Sequence, residues 1–203
     1  MARIGILGGT FDPPHWAHLL IGEKSYEQFG LEKVVFVPAA RPPHKGAENI
    51  TDAEHRYAMT LLATASNKHF EVSRLELERP GPSFSADTIR AFKRIYGPET
   101  EIYFIAGADE IVSIKSWHDA DSLPLLARFV AAPRVGFDLS SLEQQLDEKF
   151  LSAIVVLDML LVDISASNLR ARVSEGKSIK YLVPESVEDY IYKHKLYGAG
   201  GGG

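Results

Sequence analysis

The chain has 203 residues, 45% of them hydrophobic and 24% charged, the proportions of an ordinary globular protein with a sizeable core. Its 22 basic against 27 acidic residues leave a net charge of −5, which argues against a long nucleic-acid footprint while leaving room for a local basic pocket. Cysteine is absent, so disulfides and thiolate metal sites are excluded.

A short apolar run, Arg3-Ile4-Gly5-Ile6-Leu7, predicts a first strand, and two glycines stop it. The segment after His18, with Leu19, Leu20, Ile21, Ser25, Tyr26 and Phe29, has helical spacing closed by Gly30. Lys33 to Val37 reads as a buried strand, and Pro38 to Ile50 as a loop carrying Arg41-Pro42-Pro43-His44-Lys45. Thr51-Asp52-Ala53-Glu54 has capping-box spacing before a helix through about Ser66. Phe70-Glu71-Val72 with Leu75-Glu76-Leu77 suggests a third strand, broken by Arg79-Pro80-Gly81-Pro82; Ser85-Ala86-Asp87-Thr88 then opens a helix that Gly97-Pro98 ends.

Glu101 to Ala106 and Arg128 to Ala132 are further strands, and Ser140-Ser141-Leu142-Glu143 caps another helix. Ala153 to Leu157 and Leu160 to Ile164 carry strand character. Two helices close the chain, over Asn168 to Glu175 and from Pro184, at the first helical position, to about Lys195. Strands alternating with helices over short connections predict an α/β fold: a Rossmann-like, doubly wound, mostly parallel sheet with a small C-terminal helical subregion. The expected organisation is one domain over 1–197 and a flexible glycine-rich tail over 198–203.

The most informative stretch is Gly8-Gly9-Thr10-Phe11-Asp12-Pro13-Pro14-His15-Trp16-Ala17-His18, which joins the first strand to the first helix. Glycines there allow unusual backbone conformations and close approach of a ligand to main-chain N–H groups. With Pro14 at the first helical position, His15 and His18 fall three apart on one helix face, beside the positive end of the helix dipole. That combination suits a polyphosphate. A histidine pair at this spacing is by itself common polar surface, and glycine corners are frequent; their conjunction in this order is what is specific. The dinucleotide fingerprint and the Walker loop are both absent.

The pattern G-G-T-F-D-P-P-H-x-x-H resembles the first signature of the nucleotidyltransferases whose motif is H-x-G-H, and among them the bacterial nicotinate-nucleotide adenylyltransferases. Ala17 stands where the family usually has glycine. A second motif, Ile164-Ser165-Ala166-Ser167-Asn168-Leu169-Arg170, is alone a plain helix cap. It resembles the family's I-S-S-T-x-I-R, with Ala166 and Ser167 as departures.

The resemblance implies AMP transfer from ATP to nicotinate mononucleotide, giving deamido-NAD and pyrophosphate, as a step of NAD biosynthesis. It implies His18, His15 and Arg170 as catalytic residues: His18 stabilising charge at the α-phosphate, His15 orienting ATP and Arg170 binding pyrophosphate. Gly8, Gly9, Thr10, Phe11, Gly107 and Ser165 would bind ATP with them, and His44 and Lys45 would add positive charge near the triphosphate. For the pyridine nucleotide it implies Trp117 as stacking platform, Ser85 and His118 as main-chain donors, Asp109 near the ribose, and Arg134 near the phosphate. A tryptophan beyond a strand end is otherwise more often core.

Magnesium is expected on the ATP phosphates, with water completing its shell. No dedicated carboxylate cluster is evident, and a zinc site at His15 and His18 lacks a third ligand. Partners are small-molecule substrates, without nucleic acid or membrane, and the oligomeric state is left open. With no basic-then-apolar leader before Ile4, and Asp158 interrupting the late apolar run, a cytoplasmic protein is expected. Two other readings stay open: the same transfer to nicotinamide mononucleotide or phosphopantetheine, and ATP binding without turnover, motivated by Ala17 and Ala166.

Overall fold

The computed structural model describes residues 2–41 and 50–198. Strands β1 (Arg3–Gly9), β2 (Lys33–Pro38), β3 (Phe70–Val72), β4 (Glu101–Gly107), β5 (Arg128–Ala132) and β6 (Ile154–Val156) form one sheet. Their order is β3-β2-β1-β4-β5-β6 and every pairing is parallel. The helices are α1 (Trp16–Phe29), α2 (Ala53–Thr64), α3 (Leu75–Glu78), α4 (Ser85–Tyr96), α5 (Ala108–Ile111), α6 (Leu123–Leu126), α7 (Ser140–Gln145), α8 (Glu148–Leu151), α9 (Ala166–Ser174) and α10 (Glu185–Lys193). The expected doubly wound α/β architecture is the observed one.

Strand periodicity explains the two faces. Ile4, Ile6, Val35, Val37, Ile102 and Phe104 point to one side, where Ile89 and Phe92 of α4 and Phe150 of α8 cover them. Leu7, Val34, Phe36, Tyr103 and Ile105 point to the other, under Leu19, Ile21 and Phe29 of α1. A third cluster joins Met59 and Ala63 of α2 to Leu169 and Val173 of α9 and to Val187 and Ile191 of α10. That cluster is the C-terminal helical subregion, fastened to the sheet through α2.

Several boundaries differ from expectation for local physical reasons. Leu75-Glu76-Leu77 is helical, because Ser73 makes the last ladder bond to Phe36 and its hydroxyl then takes the Leu75 N–H at 3.2 Å, turning the chain. Leu160 to Ile164 forms no strand: β6 is the edge and β5 ends at Ala132, so beyond Leu157 there is no strand to pair with. Asp52 rather than Thr51 caps α2, accepting from the Glu54 N–H at 2.8 Å. Ser140 is the first residue of α7 rather than its cap, its N–H and hydroxyl both held by Asp138. Pro184 is the N-cap of α10 and not its first residue. Gly30 and Gly97 end α1 and α4 with φ of 58° and 100°, as anticipated. Gly198 lies in the final turn, Leu196–Gly198.

Helix α1 carries His18 and is capped by His15, and its seat on the sheet depends on a buried glycine. A Cβ at Gly22 would meet the rings of Phe36 and Phe70, each at 3.0 Å. Gly22→Val is expected to lower unfolding free energy by about 1–3 kcal/mol through overpacking, read as an earlier urea midpoint with an unchanged slope.

Candidate active site

The site lies beyond the carboxyl ends of β1 and β4, where the strand order reverses and a parallel sheet opens a crevice. Two cavities meet there. The larger, about 600 Å³, includes Val37, Glu76, Ser85, Asp109, Trp117 and His118 in its wall. The smaller, about 300 Å³, is bounded by His15, His18, Gly107, Arg134, Ser165 and Arg170 among others. Gly8, Gly9, Thr10, Ala106 and Glu110 belong to both and form the shared floor.

The floor works differently from the sequence expectation. Gly8 and Gly9 are ordinary strand residues, and their value is steric: a Cβ at Gly9 would sit 2.8 Å from the Phe11 ring. The left-handed residue of the loop is Phe11 itself, with φ of 49°. Its ring is 1% exposed and packs edge-on against His18 at 5.0 Å and beside Phe36 at 5.8 Å, so burial offsets an unfavourable backbone.

Helix α1 begins at Trp16, with His15 as N-cap in an extended conformation; Pro14 is not the first helical residue. His15 therefore precedes the helix and His18 is its third residue, and their rings stack at 3.8 Å. The His15 N–H donates to His18 Nδ1 at 3.2 Å, which puts the proton of the neutral His18 ring on Nε2. Burial, and secondarily the Arg134 charge, lower the His15 pKa from 6.5 to about 4, so His15 is neutral at pH 7. Its Nδ1 is buried and makes no well-formed hydrogen bond among the described residues.

Arg170, in the first turns of α9, donates from Nη1 to the Asp12 carbonyl at 2.8 Å and lines the smaller cavity. Ser165 caps α9, accepting from Asn168 N–H at 3.3 Å, and borders the same cavity, so capping and site placement coexist. Arg134 borders the smaller cavity with the histidines. It pairs with Asp109 of the larger cavity at 2.7 Å. Gly107 permits this crossing, since a Cβ there would collide with the Asp109 carboxylate.

In the larger cavity Trp117 is half-buried, set at steep angles to Phe104 and Phe129 at 6.0 and 6.2 Å. It is both core-packed and cavity-lining. His118 stacks on Phe84 at 4.3 Å, joining the tryptophan segment to the residues before α4. No side chain caps α4, whose first residue Ser85 borders the cavity, so its N-terminal N–H groups face an anion-favouring end. His44 and Lys45 lie outside the described residues.

Three functional candidates escaped sequence reading. Arg56 is 1% exposed and donates to the carbonyls of Thr51, Thr10 and Ala40 at 2.8, 2.7 and 3.5 Å. Asp12, inside the first motif, accepts from Thr51 N–H and the Tyr197 hydroxyl. Glu76 is a buried carboxyl on the larger cavity, hydrogen-bonded by Thr88 at 2.6 Å, and its pKa is raised chiefly by burial. No local pattern marks them, because their partners are distant in sequence. Among the described residues no group of three or more His, Asp or Glu side chains gathers to hold a metal, and no helix is long and apolar enough to cross a membrane.

The glycine-floored double cavity at the switch point of the parallel sheet has imidazoles and guanidinium on one side and an aromatic slot on the other, and the family match and relatives make the chain a nucleotidyltransferase-type enzyme. The chain belongs to the cytidylyltransferase-like family, whose model matches residues 6–172. It is 50% identical over 198 residues to a probable nicotinate-nucleotide adenylyltransferase of Moorella thermoacetica, covering 96% of this chain and 91% of that protein. A probable enzyme of the same description from Thermus thermophilus is 45% identical, covering 96% and 99%. The fold is also that of Plasmodium falciparum nicotinic acid mononucleotide adenylyltransferase complexed with NaAD, with TM-score 0.79, 23% identity and coverage of 98% and 99%.

The low His15 pKa makes stability pH-dependent. The unfolded chain binds this proton near pH 6.5 and the folded chain only near 4, so the contribution is lost as pH falls through that window. Between pH 7 and 5 the native protein should lose about 1–2 kcal/mol more than His15→Asn, measured by urea titration at both pH values.

Proposed function

We propose that this protein transfers AMP from ATP to nicotinate mononucleotide, giving deamido-NAD and pyrophosphate. The observation that carries the reading is the pair of cavities sharing the Gly8-Gly9-Thr10 floor, one basic and one aromatic, so that two nucleotides meet over a single point. The relatives' descriptions support the same reaction.

ATP would occupy the smaller cavity, its phosphates against Gly9, Thr10, His18, Ser165 and Arg170. Nicotinate mononucleotide would occupy the larger, its ring on Trp117 and its carboxylate at the uncapped start of α4 near Ser85. A helix N-terminus favours a carboxylate over a neutral amide, which supports nicotinate as the acceptor base. Asp109 is placed to accept from a ribose hydroxyl while holding Arg134 towards the phosphates.

The acceptor phosphate oxygen attacks the α-phosphorus, forming one P–O bond, while the bond to the β-phosphate oxygen breaks and pyrophosphate leaves. The nucleophile is largely ionised at neutral pH, with a second pKa of about 6, so no strong base is required. Rate enhancement then comes from positioning and charge stabilisation. His18 donates from Nε2 to the α-phosphate, neutral His15 holds the His18 ring by stacking and its N–H, and Arg170 binds the departing pyrophosphate. Magnesium would accompany the triphosphate as part of the substrate, its charge supplying further neutralisation there.

Pyrophosphate release should be at least about tenfold faster with nicotinate mononucleotide than with the nicotinamide form, and absent with phosphopantetheine. ATP binding without release for any acceptor would overturn the reading. His18→Ala should lower kcat about 10²–10³-fold in a folded protein. Trp117→Ala should raise KM for the pyridine nucleotide about tenfold with little change for ATP, a split that a purely core role would not produce.

A further inference from the structure

Three segments far apart in the chain converge on Asp12. The Tyr197 hydroxyl, from the final turn, donates to Asp12 Oδ1 at 2.7 Å, across 185 residues. The Thr51 N–H, just before α2, donates to Oδ2 at 3.1 Å, across 39 residues. The Asp12 carbonyl accepts from Arg170, across 158 residues. Asp12 is 2% exposed, so each of these bonds replaces water that the carboxylate and carbonyl have lost.

Tyr197 is built to stay where it is. Lys195 and Tyr197 both adopt left-handed backbones, φ 51° and 57°, which L residues take at a cost unless tertiary contacts hold them. The Tyr197 side chain packs with the α2–α9–α10 core. Burial, then the Asp12 charge, push its phenol well above the ordinary value, so it is a hydrogen-bond donor at every working pH.

We propose that Tyr197 and Asp12 form a latch by which the C-terminal turn sets the position of the loop between β1 and α1 and, through the Asp12 carbonyl, of the Arg170 guanidinium. Tyr197 and Asp12 are thus positioning residues of the nucleotide cavity. The latch bears mainly on the smaller cavity: Phe11, Asp12, His15, His18 and Arg170 line it, whereas of the loop only Thr10 also borders the larger. The latch deepens the nucleotidyl-transfer reading and rests on it for the identity of the ligand.

The test is Tyr197→Phe in the full chain, which removes one hydroxyl and keeps the ring. By calorimetric titration the ATP dissociation constant is expected to rise about 5- to 20-fold, and that for nicotinate mononucleotide to change less than about twofold. Amide exchange of residues 10–18 in ligand-free protein is expected to accelerate about tenfold, with β4 and β5 unchanged. Asp12→Ala, which removes both acceptor oxygens, should reproduce this pattern, and the double variant should be no worse than the more affected single variant. Removal of residues 199–203 should leave both affinities as in the full chain.

Equal weakening of both substrates, or unchanged exchange over residues 10–18, would overturn the latch. Additive effects in the double variant would do so too. Should Tyr197→Phe fail to fold, Asp12→Ala decides alone by the same two readings. If the unaltered chain does not bind ATP, it is the nucleotidyl-transfer reading that fails, and the exchange of residues 10–18 still decides the latch.

Discussion

The arrangement depends on one buried guanidinium. Arg56 donates to backbone carbonyls on three separate stretches, Thr10 after β1, Ala40 after β2 and Thr51 before α2. None of these carbonyls is satisfied by the ladder of a neighbouring strand, since each lies where the chain leaves regular structure. Burial lowers the pKa of Arg56, with Asp12 and Asp52 opposing, yet a guanidinium stays charged in any protein environment. A charge that cannot be shed and cannot reach water must be hydrogen-bonded, and it thereby ties three loops into one floor. A lysine could not satisfy them with the same planar fork.

Above that floor the charges are sorted by cavity. His15 is kept neutral by burial, so the positive charge lining the smaller cavity comes from Arg170 and Arg134. Arg134 is shared through Asp109, which reaches it because Gly107 has no side chain. The two cavities are consequently neighbours in electrostatics as well as in space. A change of charge at Arg134 in the smaller cavity is felt at the Asp109 carboxylate of the larger through their ion pair.

The local motifs were legible because they are punctuation as well as chemistry. Gly30 and Gly97 close helices for the same reason in sequence and in structure, and the alternation of Ile4, Ile6 with Leu7 marks two buried faces. The histidine pair and the Ser165–Arg170 segment could be paired in advance only through the family resemblance, since 147 positions separate His18 from Ser165. Misreadings cluster where a partner decides: Leu75-Glu76-Leu77 and Leu160 to Ile164 have strand composition but no strand beside them. Arg134 followed an alanine-proline step in the sequence, and nothing local indicates that its side chain turns towards the histidines.

By itself the sequence determined the alternation of strands and helices and the parallel sheet that short connections then require. These follow from periodicity, capping and turn chemistry, all of which act over a few residues, whereas the two motifs were singled out by family resemblance. Only the tertiary structure decided that Arg56 would be a buried clamp, that Asp12 would face Tyr197, and that Phe11 rather than a glycine would take the left-handed turn. Each of those outcomes is the satisfaction of a buried polar or aromatic group by partners that include one 25 or more residues away, Thr10 for Arg56, Tyr197 for Asp12 and Phe36 for Phe11. The cost of leaving such a group unpaired is incurred only once the chain has closed around it.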